Sequence, residues 1–521
     1  MLRTKRSLNI IDGNFTEEPI SLIQICVKTR EGDLFLSLDT WSQKIAELIM
    51  KQTKKISRRI FVSKSASAIT GITILPSYLA LGKADALGNL PPSKRINLGC
   101  IGIGGRGKKV IPQLCSNGAA KPIAFCDVDF KRADKEVMDA FPGVRKFADF
   151  RVMFDQMGDD IDAVSVVTPD HVHFVQTIEA MQRGKHVYVE KPLTHSFREA
   201  TLLIQAEKRY GVITQMGNQG HTSTGARQFK QLQRAGALED IVKIEAYKDP
   251  SLWFMDAAQR INEFPKVDPI PSSLNYDLWC GPSKMMPYSR RYHPFDWRAF
   301  YIYGNGMLGD WGAHIIDFAH NYLKLGLPTK VEALRMDDYN KVIFPLSSQV
   351  RMQFPKRGAG LPACEMLWRD GADAIPSLDQ KYYNSDASGE LVPPRLGRAG
   401  SILHRKDGQF VIHRGSHGSA SRLYPRASMM DYRRALKAPS GELDHMQSFI
   451  QACMGKGKTS SPFSVGGPLT QLLMLGVIAQ YLNEGFNFDR ATERITNNPV
   501  ADALLEGPKP RKGWEDYYTG V

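Results

Sequence analysis

Three clusters of side chains in this sequence have the types and spacing that chemistry needs. The first is the turn Gly102-Ile103-Gly104-Gly105-Arg106-Gly107, which follows the apolar run 96–101 and precedes a second apolar run closed by Asp127. Glycines in a G-x-G-x-x-G spacing let the backbone turn tightly against a pyrophosphate, whose charge rests on the free N–H groups of a helix start. An acid about 20 residues further on accepts from ribose hydroxyls. A carboxylate there repels the extra phosphate of NADP, so NAD is the expected cofactor and NADP the less favoured one, a preference moderated by Lys131 and Arg132 just behind. The second cluster is Glu190-Lys191-Pro192. An ammonium beside a reacting alcohol favours the developing alkoxide, although Glu190 and Lys191 could equally be a surface ion pair. In the third, Gly304 to Asp317, positions 310, 314 and 317 share one helix face, with Asp310 at the helix start and the helix ending near Gly326. An acid and an imidazole one turn apart can move a proton. The plainer alternative makes Asp310 a helix cap and His314 a core histidine.

These side chains need elements to position them. The β-branched run 162–168 reads as a strand buried on both faces of a parallel sheet, 186–189 as another, and 108–115 and 198–210 as helices between strands. The glycine turn, Asp127, Thr168-Pro169-Asp170-His171-Val172-His173, Glu190 to Pro192 and Asn218 to His221 then all fall at the carboxyl ends of strands, where a doubly wound sheet binds its ligands.

With these motifs, the stretch from Ile96 to at least His320 resembles the Gfo/Idh/MocA oxidoreductases, named for glucose-fructose oxidoreductase and inositol dehydrogenase. The resemblance implies that Lys191 lies at the nicotinamide and the substrate hydroxyl, and that Glu190 helps fix the cofactor. It also matches Asp310, Gly312 and His314 to the family's D-x-G-x-H helix. His314 becomes the general base, Asp310 and Lys191 orient and polarise, and Asp317 stands behind them. The expected cofactor contacts are Gly102, Gly104, Gly105, Arg106, Gly107, Asp127, Thr168, Pro169, His171, His173, Glu190, Lys191 and Asn218. Substrate contacts are expected from Lys191, Trp297, Tyr303, Asp310 and His314.

The fold expected is α/β: an N-terminal Rossmann domain over 87–217, then an α+β domain over 218–521 with a large, mainly antiparallel sheet that serves substrate binding and oligomerisation. This second domain opens with the alternating run 240–248 and continues into a proline-rich stretch, 249–299, whose aromatic residues suit sugar-ring faces or plug their own loop. Residues 370–440 show little pattern, and 445–453 and 469–482 read as helices packed on the second sheet.

The net charge of +14 is scattered, with no Lys/Arg block alternating with aromatics, so nucleic acid is not an expected partner. Seven cysteines without a C-x-x-C pair suggest neither a disulfide framework nor structural zinc. His171-x-His173 could chelate, but no further ligand spacing accompanies it, and no metal site is expected. Residues 50–86 have a basic start, adjacent Arg58-Arg59 with Phe61, an apolar small-residue run and Ala84-Asp85-Ala86. This resembles a twin-arginine export signal, with an uncleaved membrane anchor as the alternative. Met50 is then the expected start, and 1–49 an unstructured upstream extension. The expected protein is an exported, NAD-dependent oxidoreductase of a secondary hydroxyl on a sugar or glycoside, a homo-oligomer that holds its cofactor tightly. Redox-neutral NAD-dependent glycoside cleavage and non-catalytic sugar binding with retained NAD are the alternatives.

Overall fold

The computed structural model describes residues 24–29, 32–37, 94–250, 260–358, 360–385, 388–425, 428–433 and 444–520. In a first unit, Met1–Ile74, Gln24–Thr29 (β1) and Gly32–Ser37 (β2) pair antiparallel. The sequence reading expects no structure in 1–49. Two short apolar runs, Ile25-Cys26-Val27 and Leu34-Phe35-Leu36, flank the turn-favouring residues Gly32-Asp33, the sequence pattern of a strand pair. The stretch read as an export leader, 50–86, lies outside the described residues, as does Trp253.

The second unit, Leu75–Val521, holds two large sheets. Six parallel strands form the first: Ile96–Ile101 (β3), Ala120–Cys126 (β4), Arg145–Phe147 (β5), Ala163–Val166 (β6), His186–Val189 (β7) and Thr214–Met216 (β8), in the order β5-β4-β3-β6-β7-β8. All four residues of β6 are buried, as a strand covered by helices on both faces requires. Strand order reverses between β3 and β6, which opens a crevice at their carboxyl ends. Gly107–Cys115 (α1), Asp170–Gln182 (α2) and Phe197–Tyr210 (α3) connect these strands. The boundaries of α3 are written in its sequence: Ser196 and Glu199 form a reciprocal capping box, and Gly211 ends the helix at φ 61°.

Nine strands form the second sheet. It is built from Ile241–Lys248 (β9), Lys330–Asp337 (β10), Ser347–Phe354 (β11) and Cys364–Asp370 (β12), while Asn384–Ser385 (β13) and Leu391–Val392 (β14) pair separately. Ala399–Arg405 (β15), Phe410–Arg414 (β16), Ser421–Tyr424 (β17), Phe486–Asp489 (β18) and Arg494–Ile495 (β19) complete it. Its order is β17-β16-β15-β9-β12-β11-β10-β18-β19, antiparallel except for the β9–β12 pair. The stretch 370–440, which carries little sequence pattern, thus supplies three strands of this sheet.

Four further helices bear on the site and its support. Gly306–Ile315 (α4) runs almost directly into Asp317–Tyr322 (α5). Later come His445–Cys453 (α6) and Phe463–Leu482 (α7). The apolar residues of α6 (Met446, Phe449, Ile450, Cys453) pack with Leu98, Val110 and Leu114 of the first domain, so this helix does not lie on the second sheet as the sequence suggests. Gln447 Nε2, which donates to Gln113 O at 2.8 Å, ties it there. α7 packs against α3, α4 and the strands β10 and β11. It is long and apolar enough to cross a membrane, but 72% of that window is buried within the fold.

Burial disfavours the charged form of many titratable groups. It pushes His171 down to about 3, and His173, His195, His293, His320, His413 and His445 to about 4. It also pushes Asp170 and Glu199 up to about 7 and Asp370 to about 6. As pH falls from about 6.5 to about 4, the unfolded chain gains protons on these histidines, while the folded chain gains them only on the three carboxyls. The histidines outnumber the carboxyls, so stability is expected to fall through this window. Urea midpoints measured at pH 7.5, 6, 5 and 4 check this; a midpoint that rises on acidification contradicts it.

Candidate active site

The glycine turn leaves β3 and enters α1. Gly102 has φ 81°, and a Cβ there would come 2.3 Å from Val167 O, so only glycine fits between β3 and the end of β6. A Cβ on Gly105 would meet nothing within 4 Å, so the turn leaves open room beside it. Asp127 Oδ2 accepts from Ile103 N at 2.9 Å and Oδ1 from Asp129 N at 3.0 Å. The ribose carboxylate expected from the sequence is therefore also the brace of the turn. Burial raises its pKa against the pull of those backbone donors. Backbone donors from Ile103, Gly104 and Asp129 share its two oxygens, which leaves acceptor capacity for one hydroxyl.

A cavity of about 700 Å³ runs from this turn to the second domain. Along it lie Thr168, Pro169, Glu190 and Lys191 from the sheet edge, then Trp297, Asp310 and His314. Arg106 Nε donates to Glu190 Oε1 at 3.1 Å, and Gln219 Nε2 donates to the same oxygen at 2.7 Å. Lys191 Nζ pairs with Asp310 Oδ1 and donates to Asp310 O at 3.2 Å; the two side chains are only 15% and 17% exposed. The surface ion pair that the sequence allowed for Lys191 is thus replaced by a mostly buried pair with a different partner. Asp310 lies in the second turn of α4, because the helix starts at Gly306, so it does not cap the helix.

His314 is 6% exposed and its Nδ1 has no hydrogen-bond partner among the described residues. Burial, then the Lys191 charge, hold its pKa well below the usual imidazole value. Asp170, at the start of α2, accepts from Asn305 Nδ2 at 3.1 Å; burial and the neighbouring Asp310 charge raise it to about 7.

Five expected contacts do not line this cavity; one is Gly107, packed against the turn itself, where a Cβ would come 2.3 Å from Gly102 O. His171 is buried between Tyr303 O at 3.1 Å and Trp279 O at 2.8 Å, and His173 between Pro192 O at 2.9 Å and Thr168 O at 2.8 Å. Both imidazoles are engaged in holding neighbouring segments together, including the Thr168 and Pro192 ends of the site. Tyr303 is fully buried, packed edge-on against Trp279 and Tyr292, so it belongs to the aromatic plug of its own loop. Asn218 is turned inward, donating to Asp317 Oδ2 at 2.9 Å, where His221 Nδ1 also binds at 2.9 Å. Its neighbour Gln219 reaches the cavity instead.

Among the cavity residues that sequence reasoning missed, two stand beside the proposed chemistry. Arg298 lies 4.2 Å over the Trp297 ring, and its signal was only its place in the aromatic stretch. His417 comes from the loop between β16 and β17, and its ring centroid is 4.0 Å from that of His314. No local pattern in 370–440 marks it.

Residues 96–218 match the oxidoreductase family model for the NAD-binding Rossmann fold (GFO_IDH_MocA), and 224–337 match the C-terminal alpha/beta domain of that family. These two segments are similar to the Gfo/Idh/MocA oxidoreductase family. Among similar proteins, a glycosyl hydrolase family 109 protein of Shewanella pealeana is 26% identical over 173 residues, 30% of this chain and 38% of that protein. An alpha-N-acetylgalactosaminidase of Shewanella oneidensis is 28% identical over 174 residues, 30% of this chain and 37% of that protein. The chain thus spans under two fifths of the length of these curated relatives. The WlbA dehydrogenase of Chromobacterium violaceum, solved with NADH and UDP-GlcNAcA, has the same fold: TM-score 0.53, 15% identity, 77% of this chain and 98% of that one. The Rossmann domain fits NAD on the chain's own evidence. Open space at Gly105 suits a pyrophosphate, Arg106 carries a charge for it, and Asp127 stands at the ribose position.

Proposed function

We propose that this protein is an exported enzyme that oxidises a secondary hydroxyl of a sugar or glycoside with tightly held NAD. The observation that carries the reading is the Lys191–Asp310 pair beside neutral His314, in the same cavity as the glycine turn. NAD supplies, when bound, an acceptor for hydride. Lys191 presents an ammonium to the substrate hydroxyl and favours the alkoxide. His314 is unprotonated through the neutral range and takes the hydroxyl proton as the C–H bond breaks. Asp310 holds Lys191 in place. Trp297 lines the cavity, but it is only 4% exposed and Arg298 lies over its ring.

The relatives named as glycoside-cleaving enzymes, and the second imidazole of the site, support another reading: the sugar is oxidised only transiently, a glycosidic oxygen leaves, and the carbonyl is reduced again. Both readings are tested by purifying the protein without added cofactor, identifying the nucleotide released on denaturation, and screening glycosides for ketosugar or free-sugar products. An empty protein that uses added NAD stoichiometrically refutes tight retention.

Export rests on the leader-like stretch around Arg58-Arg59. The double substitution Arg58→Lys, Arg59→Lys is expected to leave the protein in the cytoplasm, read by cell fractionation. Unchanged periplasmic yield contradicts twin-arginine export, and wild-type protein in the membrane fraction favours the anchor.

A further inference from the structure

A single base is enough for oxidation, yet two of the imidazoles lining this cavity stand together from distant parts of the chain. His314 belongs to α4 and His417 to the loop after β16; their ring centroids are 4.0 Å apart with planes at 37°. They differ in setting. His314 is 6% exposed, whereas His417 is open to solvent. Ser416 Oγ lies 2.6 Å from His417 Nδ1, which leaves Nε2 as the working nitrogen. The loop itself is seated without slack. Gly225 N donates to Gly418 O at 3.0 Å, and Gly418, at φ 88°, has no room for a Cβ against Ser223. A side chain held this firmly at a cavity wall suits proton transfer, which tolerates little misplacement.

We propose that His417 is a second acid–base residue of this site, which carries one proton between a substrate carbon and the glycosidic oxygen on the adjacent carbon. The inference rests on the redox-neutral reading above. Once His314 has taken the hydroxyl proton and the hydride has left for NAD, the new carbonyl acidifies the C–H beside it. Neutral His417 takes that proton. The electron pair of the broken C–H bond forms a C=C bond as the C–O bond to the leaving group breaks, and His417 returns its proton to the departing oxygen. Water then adds to the C=C bond by the reverse path: His417 takes a proton from the water and delivers it to the carbon. Reduction of the carbonyl by the same hydride, with the proton returned by His314, restores the starting state. Net, one glycoside and one water give two alcohols.

The groups facing His417 fit this role. Burial, then Lys191 and Arg106, disfavour its charged form, while Asp310 and Glu190 favour it, and Trp311 stands edge-on at 6.2 Å. A proton on His417 raises the cost of one on His314, so the stage at which both rings are charged favours prompt transfer of the His417 proton to the departing oxygen.

The test uses the full chain with its retained nucleotide, a panel of methyl and p-nitrophenyl glycosides as probes, and D₂O as solvent. Wild type is expected to place deuterium on the carbon next to the transiently oxidised one, read by NMR, and to release sugar. His417→Gln is expected to keep its nucleotide content and the transient at 340 nm on mixing. It should lose deuterium incorporation and cleavage by about 100-fold or more, the lower range for general acid–base catalysis. Added imidazole should partly restore His417→Ala, which a merely structural role does not predict. Wild-type deuterium incorporation in His417→Gln overturns the inference, as does parallel loss of the 340 nm transient. Wild type that accumulates ketosugar without deuterium exchange overturns the redox-neutral reading itself, before any variant is made.

Discussion

Replacement of His314 by Ala is expected to lower turnover by about 10²- to 10⁴-fold, the range for a general base held against its substrate. Nucleotide should stay bound. The ring is buried and makes no hydrogen bond through Nδ1 to a described residue, so its removal breaks no internal network. The cofactor cradle, at Gly102, Asp127 and Glu190, lies on separate strand ends. The measurement is turnover alongside nucleotide released per chain. Loss of turnover with full nucleotide content fits the proposed base. A non-catalytic protein that keeps NAD to bind sugar has no turnover to lose, and its sugar affinity should survive the change. Full activity in His314→Ala rules out this base.

Replacement of Lys191 by Met should abolish turnover and also destabilise the fold. With the ammonium gone, Asp310 is left 17% exposed beside the buried Asp170 carboxyl, with no opposing charge at its Oδ1. Removing one partner of a buried pair costs roughly 3 to 5 kcal/mol, and here about the lower figure because the pair opens onto a cavity. The double variant Lys191→Met, Asp310→Asn should regain much of that stability without regaining turnover, since it removes the stranded charge but not the need for an ammonium. Thermal midpoints of wild type, both single variants and the double variant check this. A double variant no more stable than Lys191→Met removes the electrostatic explanation.

These two predictions draw on features that were legible to different degrees. The glycine turn, Asp127 and Glu190-Lys191-Pro192 were readable because a tight turn between strand and helix leaves a local spacing. The pairing of Lys191 with Asp310 rather than with its neighbour Glu190 was not readable. Adjacent residues at a strand end point apart, and the partner comes from α4, 119 residues on.

His171 and His173 show the same limit. Two residues apart on a helix, they face different ways. Each is taken up by backbone carbonyls of other segments that burial has deprived of water. Asn218 and Gln219 exchange roles because a 3₁₀ turn begins between them and sends the first inward to Asp317.

By itself, the sequence determined the order of strands and helices in the nucleotide-binding domain, the position of its phosphate turn and the kind of cofactor it accepts. Hydrophobic period, caps and glycine spacing act within about 20 residues and so are written locally. Only the tertiary structure decided which polar groups share the cavity. It brought β15 to β17 out of an unpatterned stretch to the edge of the second sheet, seated the 415–419 loop on Ser223 and Gly225, and so set His417 against His314. That contact joins residues 103 apart, and strand pairing and close packing, not any local pattern, hold them together.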